Sequence, residues 1–414
     1  DLIIGQVQLA VMQHMGSNNA RYAAVFSNQM SGGDRQYLTL NTYSPNRANY
    51  NNMWNNAYIA GINNAQLIIN DEKASDLIKG IAEILQGTLF ADMALLYGDV
   101  PFSEAVQPKD FPEPAYEAQA TVVNGAIDLI ISGIAKVGSA SIAAGYGGAR
   151  LSGGTWAEAG YTLAARYALA AGNKPSAINY ATQGVSSRAN DLVTQHGNAQ
   201  YNRNLMYQFV IDQRQDYLVA TDSHLANLLD GTVTRALPTP GKIEIFKSYF
   251  LEDGIRGEPA FRTLLNTDVG GRYAPTASMP IATYYENELI LAEAKLGTDD
   301  AGARGHLNTV RTALAAQYGS DATGFPPSPS SVSGADLRKQ VLEEKYITLI
   351  GELVTYHDLR RTKNFIGVPN KLAGGSKLPL DYPQRFLYPQ NEVDTNSNIT
   401  DPLPTFFEPI SLRD

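Results

Sequence analysis

The sequence predicts an all-α protein: a scaffold of stacked helix pairs carrying an irregular binding subdomain and a loop-rich tail. Three stretches point to it. Residues 284–365 hold three helical patterns with short breaks, on Tyr285, Leu289, Ala292 and Leu296, then Leu307, Val310 and Leu314, then Leu342, Tyr346, Leu349 and Leu353. Residues 49–98 read as a long antiparallel pair. Residues 155–187 read as a shorter pair opened by a capping box, Thr155 with Glu158 three residues on.

In chain order, a short helical pattern on Val7, Val11 and Met15 leads into a polar stretch from Ser27 to Tyr37, with turn residues at its middle. From Tyr50 a helix places Tyr50, Trp54, Tyr58, Ile62, Ala65 and Ile69 on one side. Its partner uses Leu77, Ile81, Ile84, Thr88, Ala91 and Leu95. It stops at Gly98-Asp99-Val100-Pro101, where Gly can take a left-handed cap and Pro prevents continuation. Beyond a Pro-rich loop, 102–120, Thr121 opens a helix through Lys136 built on Ile127, Ile130 and Ile134. The Gly/Ser-rich stretch 145–154 reads as a connector. The helix on Ala159, Leu163, Tyr167 and Ala170 ends at Gly172, and Pro175 starts its partner. Gly297 is the expected stop of the helix that begins near Tyr285.

Residues 190–283 lose this regularity and are rich in Asn, Gln, Tyr, Gly and Pro. A long irregular insertion in a helical scaffold is usually functional or disordered, and the interleaved apolar residues favour an ordered subdomain. The Pro- and Asn-rich tail, 366–414, has no helical period and is expected to wrap the scaffold. Helix pairs on short links stack into solenoids of the tetratricopeptide kind, here within a single domain, 1–414.

Composition narrows the function. With 44% hydrophobic and 18% charged residues the chain is globular rather than disordered. A formal net charge of −9 argues against nucleic acid, which needs a basic surface. The 23 tyrosines beside only 2 tryptophans supply flat rings with polar tips, suited to sugar or peptide recognition, although most are expected to pack helices. Cysteine is absent, so no disulfide or thiolate chemistry is available. No apolar run reads as long enough to span a bilayer. The chain opens at Asp1-Leu2-Ile3-Ile4 without Met, a basic region or a cleavage motif, as a trimmed chain would.

No enzyme signature stands out. His14, His196, His224, His306 and His357 are isolated, with no H-E-x-x-H spacing, so no metal site is expected. There is no G-x-S-x-G elbow, and the glycines of 145–154 lack the G-K-[ST] ending of a phosphate loop. Asp99, Asp358 and Glu343-Glu344 could supply an acid and a base for glycoside cleavage, but carboxylates on helix faces and ends are far more often caps and solvated charges. Trp54 and Trp156 fall at helical positions that suit packing.

Several segments together resemble the SusD/RagB family. They are Trp54…Tyr58-Ile59-Ala60-Gly61-Ile62-Asn63-Asn64-Ala65 with Leu96-Tyr97-Gly98-Asp99-Val100-Pro101; Trp156…Tyr161-Thr162-Leu163-Ala164-Ala165-Arg166-Tyr167; and Met279-Pro280-Ile281…Tyr284-Tyr285-Glu286…Leu291-Ala292-Glu293-Ala294. Leu307-Asn308-Thr309-Val310-Arg311, His357-Asp358-Leu359-Arg360-Arg361 and Arg385-Phe386-Leu387-Tyr388-Pro389-Gln390-Asn391-Glu392-Val393 follow in the family's order. Two departures stand out. The lipid-bearing N-terminal Cys is missing, and Gly257-Glu258-Pro259-Ala260-Phe261-Arg262 replaces a common D-P-R phrase.

The resemblance implies a non-catalytic, cofactor-free, lipid-anchored nutrient-binding protein on the outer face of a Bacteroidetes-type outer membrane. It would sit as a lid on a SusC-like TonB-dependent transporter and pass on oligosaccharides, or in some relatives peptides. Ligand contacts would come from the irregular segments 27–48 and 190–283. The candidates there are Arg35, Gln36, Tyr37, Tyr43, Tyr201, Arg203, Tyr207 and Tyr217, because sugar recognition pairs aromatic faces with planar amides and guanidinium groups. The competing readings are a tetratricopeptide scaffold for protein tails, which leaves 190–283 without a place, and a glycoside hydrolase.

Overall fold

The computed structural model describes residues 2–144, 146, 150–319, 323–371 and 382–412. Helices α1 (Leu2–Gly16) and α2 (Asn18–Phe26) open the chain. The helix expected from Tyr50 is α3, built of the successive segments Asn51–Asn55, Asn56–Asn63 and Asn64–Asn70, of which the middle one is wound as a π-helix. Its partner α4 (Asp76–Tyr97) is capped by the Ser75 hydroxyl, which accepts from the Ile78 amide. The next helix, α5 (Gln119–Val137), packs on α4 closely enough that glycines are required. A Cβ on Gly80 would lie 2.7 Å from the Gly133 carbonyl oxygen, one on Gly133 2.5 Å from that of Gly80, and one on Gly87 2.5 Å from that of Ala126. Contacts that descend α5 while climbing α4 show that the two run antiparallel.

Helix α5 corrects the membrane expectation. It is 19 residues long and contains an 18-residue window of mean hydropathy 1.5, so by length and composition it is able to cross a bilayer. It is instead sandwiched in the stack, with α4 on one side and helix α6 (Trp156–Ala170) on the other. The capping box at the start of α6 is present in both directions, and Pro175 lies in the first turn of α7 (Lys174–Ala181). The scaffold block 284–365 supplies α8 (Tyr284–Lys295), α9 (Asp300–Gln317), α10 (Gly334–Thr348) and α11 (Leu353–Arg361). Here the pattern read as one helix over Leu342–Leu353 is two, because Gly351 at φ +74° turns the chain between them. Packing continues from α6 to α7, α7 to α8, and α8 to α9 and α10, so the pairs stack in a row.

Buried charges tie the pairs together. Arg166 on α6 reaches Glu286 on α8, Lys345 on α10 and Arg361 on α11 meet at Glu293 on α8, and Arg235 and Arg311 both hold Glu344 on α10. The pairing compensates the desolvation that isolated buried charges would suffer. Trp156 is fully buried and Trp54 is 5% exposed, against Tyr58 and Tyr97, so both tryptophans pack the core.

The irregular segments are ordered by short antiparallel strands. Strand β1 (Ser31–Gly32) pairs with β2 (Leu218–Val219), and β3 (Phe250–Asp253) with β4 (Arg262–Leu265). A ribbon of Leu151–Ser152, Leu192–Thr194 and Pro280–Ala282 joins the insertion to the start of α8. The tail does wrap the scaffold: the Phe386 amide donates to the Leu96 carbonyl at 2.8 Å and the Tyr388 hydroxyl to that of Asp99 at 2.6 Å. It also contains a short helix that its composition did not announce, Gln390–Thr395. Residues 145 and 147–149 of the connector, and 372–381 and 413–414 of the tail, lie outside the described residues.

Candidate functional site

The β1–β2 pair frames an open cleft of about 570 Å³, walled by the chain around Asn28–Asn41, by 216–233 with Arg262, and by Pro369–Lys371. Tight backbone packing builds the first wall. A Cβ on Gly32 would lie 1.9 Å from the Tyr37 carbonyl oxygen, and one on Gly33 2.2 Å from that of Asp216. The Asn41 amide then holds Gly32 from both sides, accepting from its N–H at 2.9 Å and donating to its carbonyl at 2.6 Å. Asn28, at φ +54°, binds the other two walls to the first. Its Nδ2 donates to the Pro369 carbonyl at 2.9 Å and its Oδ1 accepts from the His224 amide at 3.2 Å.

Charged groups line the space. Lys371 is half-buried; its amide donates to the Tyr43 hydroxyl at 3.0 Å and its Nζ to Ser31 Oγ at 2.9 Å. Burial pulls the Lys371 ammonium down to about 7, offset in part by Asp222. Burial, assisted by Lys371, pushes His224 down to about 4, so its imidazole is neutral at ordinary pH. Asp216 pairs with Arg262 at 2.6 Å, and Arg262 pairs in turn with Asp253 at 2.8 Å. Among the described lining residues there is no Trp, Tyr or Phe ring.

The structure separates the candidate residues read from the sequence. Tyr37 and Tyr217 are buried against each other and Phe209, and the Tyr37 hydroxyl accepts from Arg21 Nε at 2.9 Å. Tyr43 is buried against Phe26 and Phe407, and its hydroxyl anchors the Lys371 loop. Arg35 and Gln36 are exposed, Arg35 beside Asp34 at 3.7 Å. Arg203 pairs with Asp212 at 2.7 Å and stacks on Tyr207, while Tyr201 is 89% exposed. None of the eight lines the cleft, although the segments 27–48 and 190–283 form most of its wall. The residues that do line it carried a weak signal: Gly32-Gly33, Asn28 and Asn41 are turn residues, and nothing in the sequence marked Lys371.

The carboxylates weighed for cleavage are engaged elsewhere. Glu343 and Glu344 are held by Arg235, Asp358 by Arg361 and Lys345, and Asp99 accepts from the Gln119 amide at 2.9 Å. Among the described residues no three His, Asp or Glu side chains are grouped to hold a metal ion. A second cavity, of about 640 Å³, opens between the ends of α6, α8 and α10, where the Arg338 guanidinium lies 4.5 Å from the Phe365 ring centre.

Comparison with known proteins agrees with the resemblance. Residues 2–147 match the family model SusD-like_2, described as starch-binding and associating with the outer membrane. No curated protein matches. A SusD/RagB family protein from Bacteroides thetaiotaomicron shares the fold at 19% identity and TM-score 0.69, with 99% of this chain and 97% of that one covered. A chitin-binding SusD homologue from Flavobacterium johnsoniae superposes with TM-score 0.73 at 15% identity, over 96% of this chain and 94% of that one. Another structure, described as a chitin-binding protein, covers 99% of both chains at 18% identity and TM-score 0.68. The chain is SusD-like in its N-terminal part and carries the SusD/RagB fold along its length.

Proposed function

We propose that this SusD-like chain is a non-catalytic binding protein. It captures oligosaccharides at the outer face of an outer membrane, to which a lipid anchor would hold it, and passes them to a SusC-like TonB-dependent transporter. The observation that carries the reading is the open, polar cleft of about 570 Å³, built from irregular segments on a rigid helical stack. Asn28 cross-links its walls and Asn41 fixes the first of them, so the binding surface is preformed and a ligand has little chain to order. The kinship in fold with two chitin-binding structures supports a saccharide ligand.

Peptide capture by the same cleft is the second reading, favoured by one observation: the described lining residues include no aromatic face on which sugar rings commonly stack. Incubating the purified chain with a mixed glycan and peptide array, with product analysis of the supernatant, separates the readings. Retention of one glycan class without new products is expected. Retention of peptides alone would replace the ligand, and appearance of shortened glycans would overturn the non-catalytic role.

A further inference from the structure

The polar groups of the cleft can be sorted by what already occupies them. The amides of Asn28 and Asn41 hold the walls, and Thr221 exchanges hydrogen bonds with the Thr263 backbone. Arg262 is neutralised by Asp216 and Asp253. Ser31 accepts from Lys371, and among the other described lining residues Lys371, His224, Asn227 and Asp222 have side-chain capacity for a ligand. Asp222 is exposed at the rim, in left-handed backbone at φ +58°, whereas Lys371 is half-buried and fixed by Ser31.

We propose that the cleft selects saccharides bearing an anionic substituent, a carboxylate or a sulfate, and that the Lys371 ammonium is the group that receives it. This rests on the reading of the cleft as the oligosaccharide site. Lys371 is a cation drawn partly out of water with one neutral hydrogen-bond partner and, among the described residues, no carboxylate at ion-pair distance. An anionic ligand would supply a close counter-charge that the described residues do not, and a charge-assisted contact contributes more than a neutral one. With no aromatic ring among the described lining residues, that contact replaces stacking as the anchor. Asp222, in solvent, opposes the anion only through screened repulsion and can accept from neighbouring sugar hydroxyls.

The pH signature follows from the groups around Lys371. Among the described residues, Ser31 and Tyr43 present hydroxyls, His224 is neutral above about 4, Asp216 is paired with Arg262, and Asp222 is the remaining carboxylate. Binding an anion holds the Lys371 proton, which the free cleft gives up near 7, so affinity falls as pH rises from about 6 to about 8.5.

Titration calorimetry of the full chain with oligogalacturonides, sulfated chondroitin oligosaccharides and neutral chitooligosaccharides tests this, with thermal melts reporting the fold of each variant. The expected result is binding of one or both anionic classes, weakened about tenfold or more by Lys371→Gln. Lys371→Arg should preserve binding and abolish its dependence on pH between those limits. Neutral saccharide binding that Lys371→Gln leaves intact would overturn the charge assignment and leave the proposed function standing. Failure to bind any saccharide would overturn both.

Discussion

Arg166 and Glu286, 120 residues apart in the chain, meet in a buried two-pronged ion pair, with Nε to Oε1 at 2.5 Å and Nη2 to Oε2 at 2.6 Å. The pair joins α6 to α8, and Arg166 also donates to the Ile281 carbonyl at 2.5 Å, where the irregular insertion ends. Removing one partner strands the other as a buried charge, at a cost of about 3–5 kcal/mol. Glu286→Gln should therefore lower the urea midpoint sharply, whereas Arg166→Met with Glu286→Leu should recover most of the loss. Equal loss in the single and double variants would show that the pair itself is a net source of stability.

The contact of α4 with α5 offers a steric test. A methyl on Gly133 would fall 2.5 Å from a backbone oxygen, which cannot swing aside as a side chain can. Gly133→Ala is expected to destabilise by about 1–3 kcal/mol despite the better helix propensity of Ala. Gly305→Ala on α9, where no atom lies within 4 Å, controls for the gain in helix propensity alone.

Acid sensitivity follows from His357. Arg360 Nη2 donates to its Nδ1 at 2.6 Å, so that nitrogen must accept, and the remaining ring nitrogen faces Asp92 at 3.8 Å. Burial pushes this imidazole down to about 4, and burial lowers that of His14, beside the same Asp92, in the same direction. The unfolded chain takes up these protons below about 6.5 while the folded chain does not, so stability declines as pH falls from there towards 4. For His357 the loss amounts to about 3 kcal/mol at most. Urea titrations at successive pH values should show this slope, and His357→Gln should flatten it; an unchanged slope would remove His357 as its source.

Asn28 positions the cleft without being counted among its ligand groups. Asn28→Ala deletes the bonds to Pro369 and His224, releasing two walls at once. Ligand affinity is expected to fall by about tenfold or more, because loop ordering then accompanies binding. Calorimetry should place the loss in an unfavourable entropy, and an unaltered affinity would show that the walls hold without it.

The helical scaffold was legible because its signals are local. Apolar spacing, the Thr155–Glu158 box and Pro175 announced α3 through α9 with modest boundary shifts, and α10 and α11 as a single helix. The break at Gly351 was hidden by a period that runs straight across it. The cleft was legible only as segments. Tyrosine was favoured as a ligand group on chemistry alone, yet Tyr37, Tyr43 and Tyr217 bury their rings, a choice made by neighbours such as Phe209 and Phe407 that lie far away in the chain. Lys371 enters the site through Ser31 and Tyr43, more than 300 residues earlier, and no spacing rule reports such a contact.

The end of α4 has a bearing on how the protein is made. Its last carbonyls, on Leu95, Leu96 and Tyr97, accept from Arg360, from the Phe386 amide and from Arg385. A ribosome completes α4 long before it reaches those donors, so during synthesis this helix end waits open while some 260 further residues emerge. The first helix pair cannot reach its final form until the last strap arrives, and a nascent chain must be kept from aggregating until then. Loss of the final thirty or so residues would accordingly be felt at the opposite end of the chain, in the helices made first.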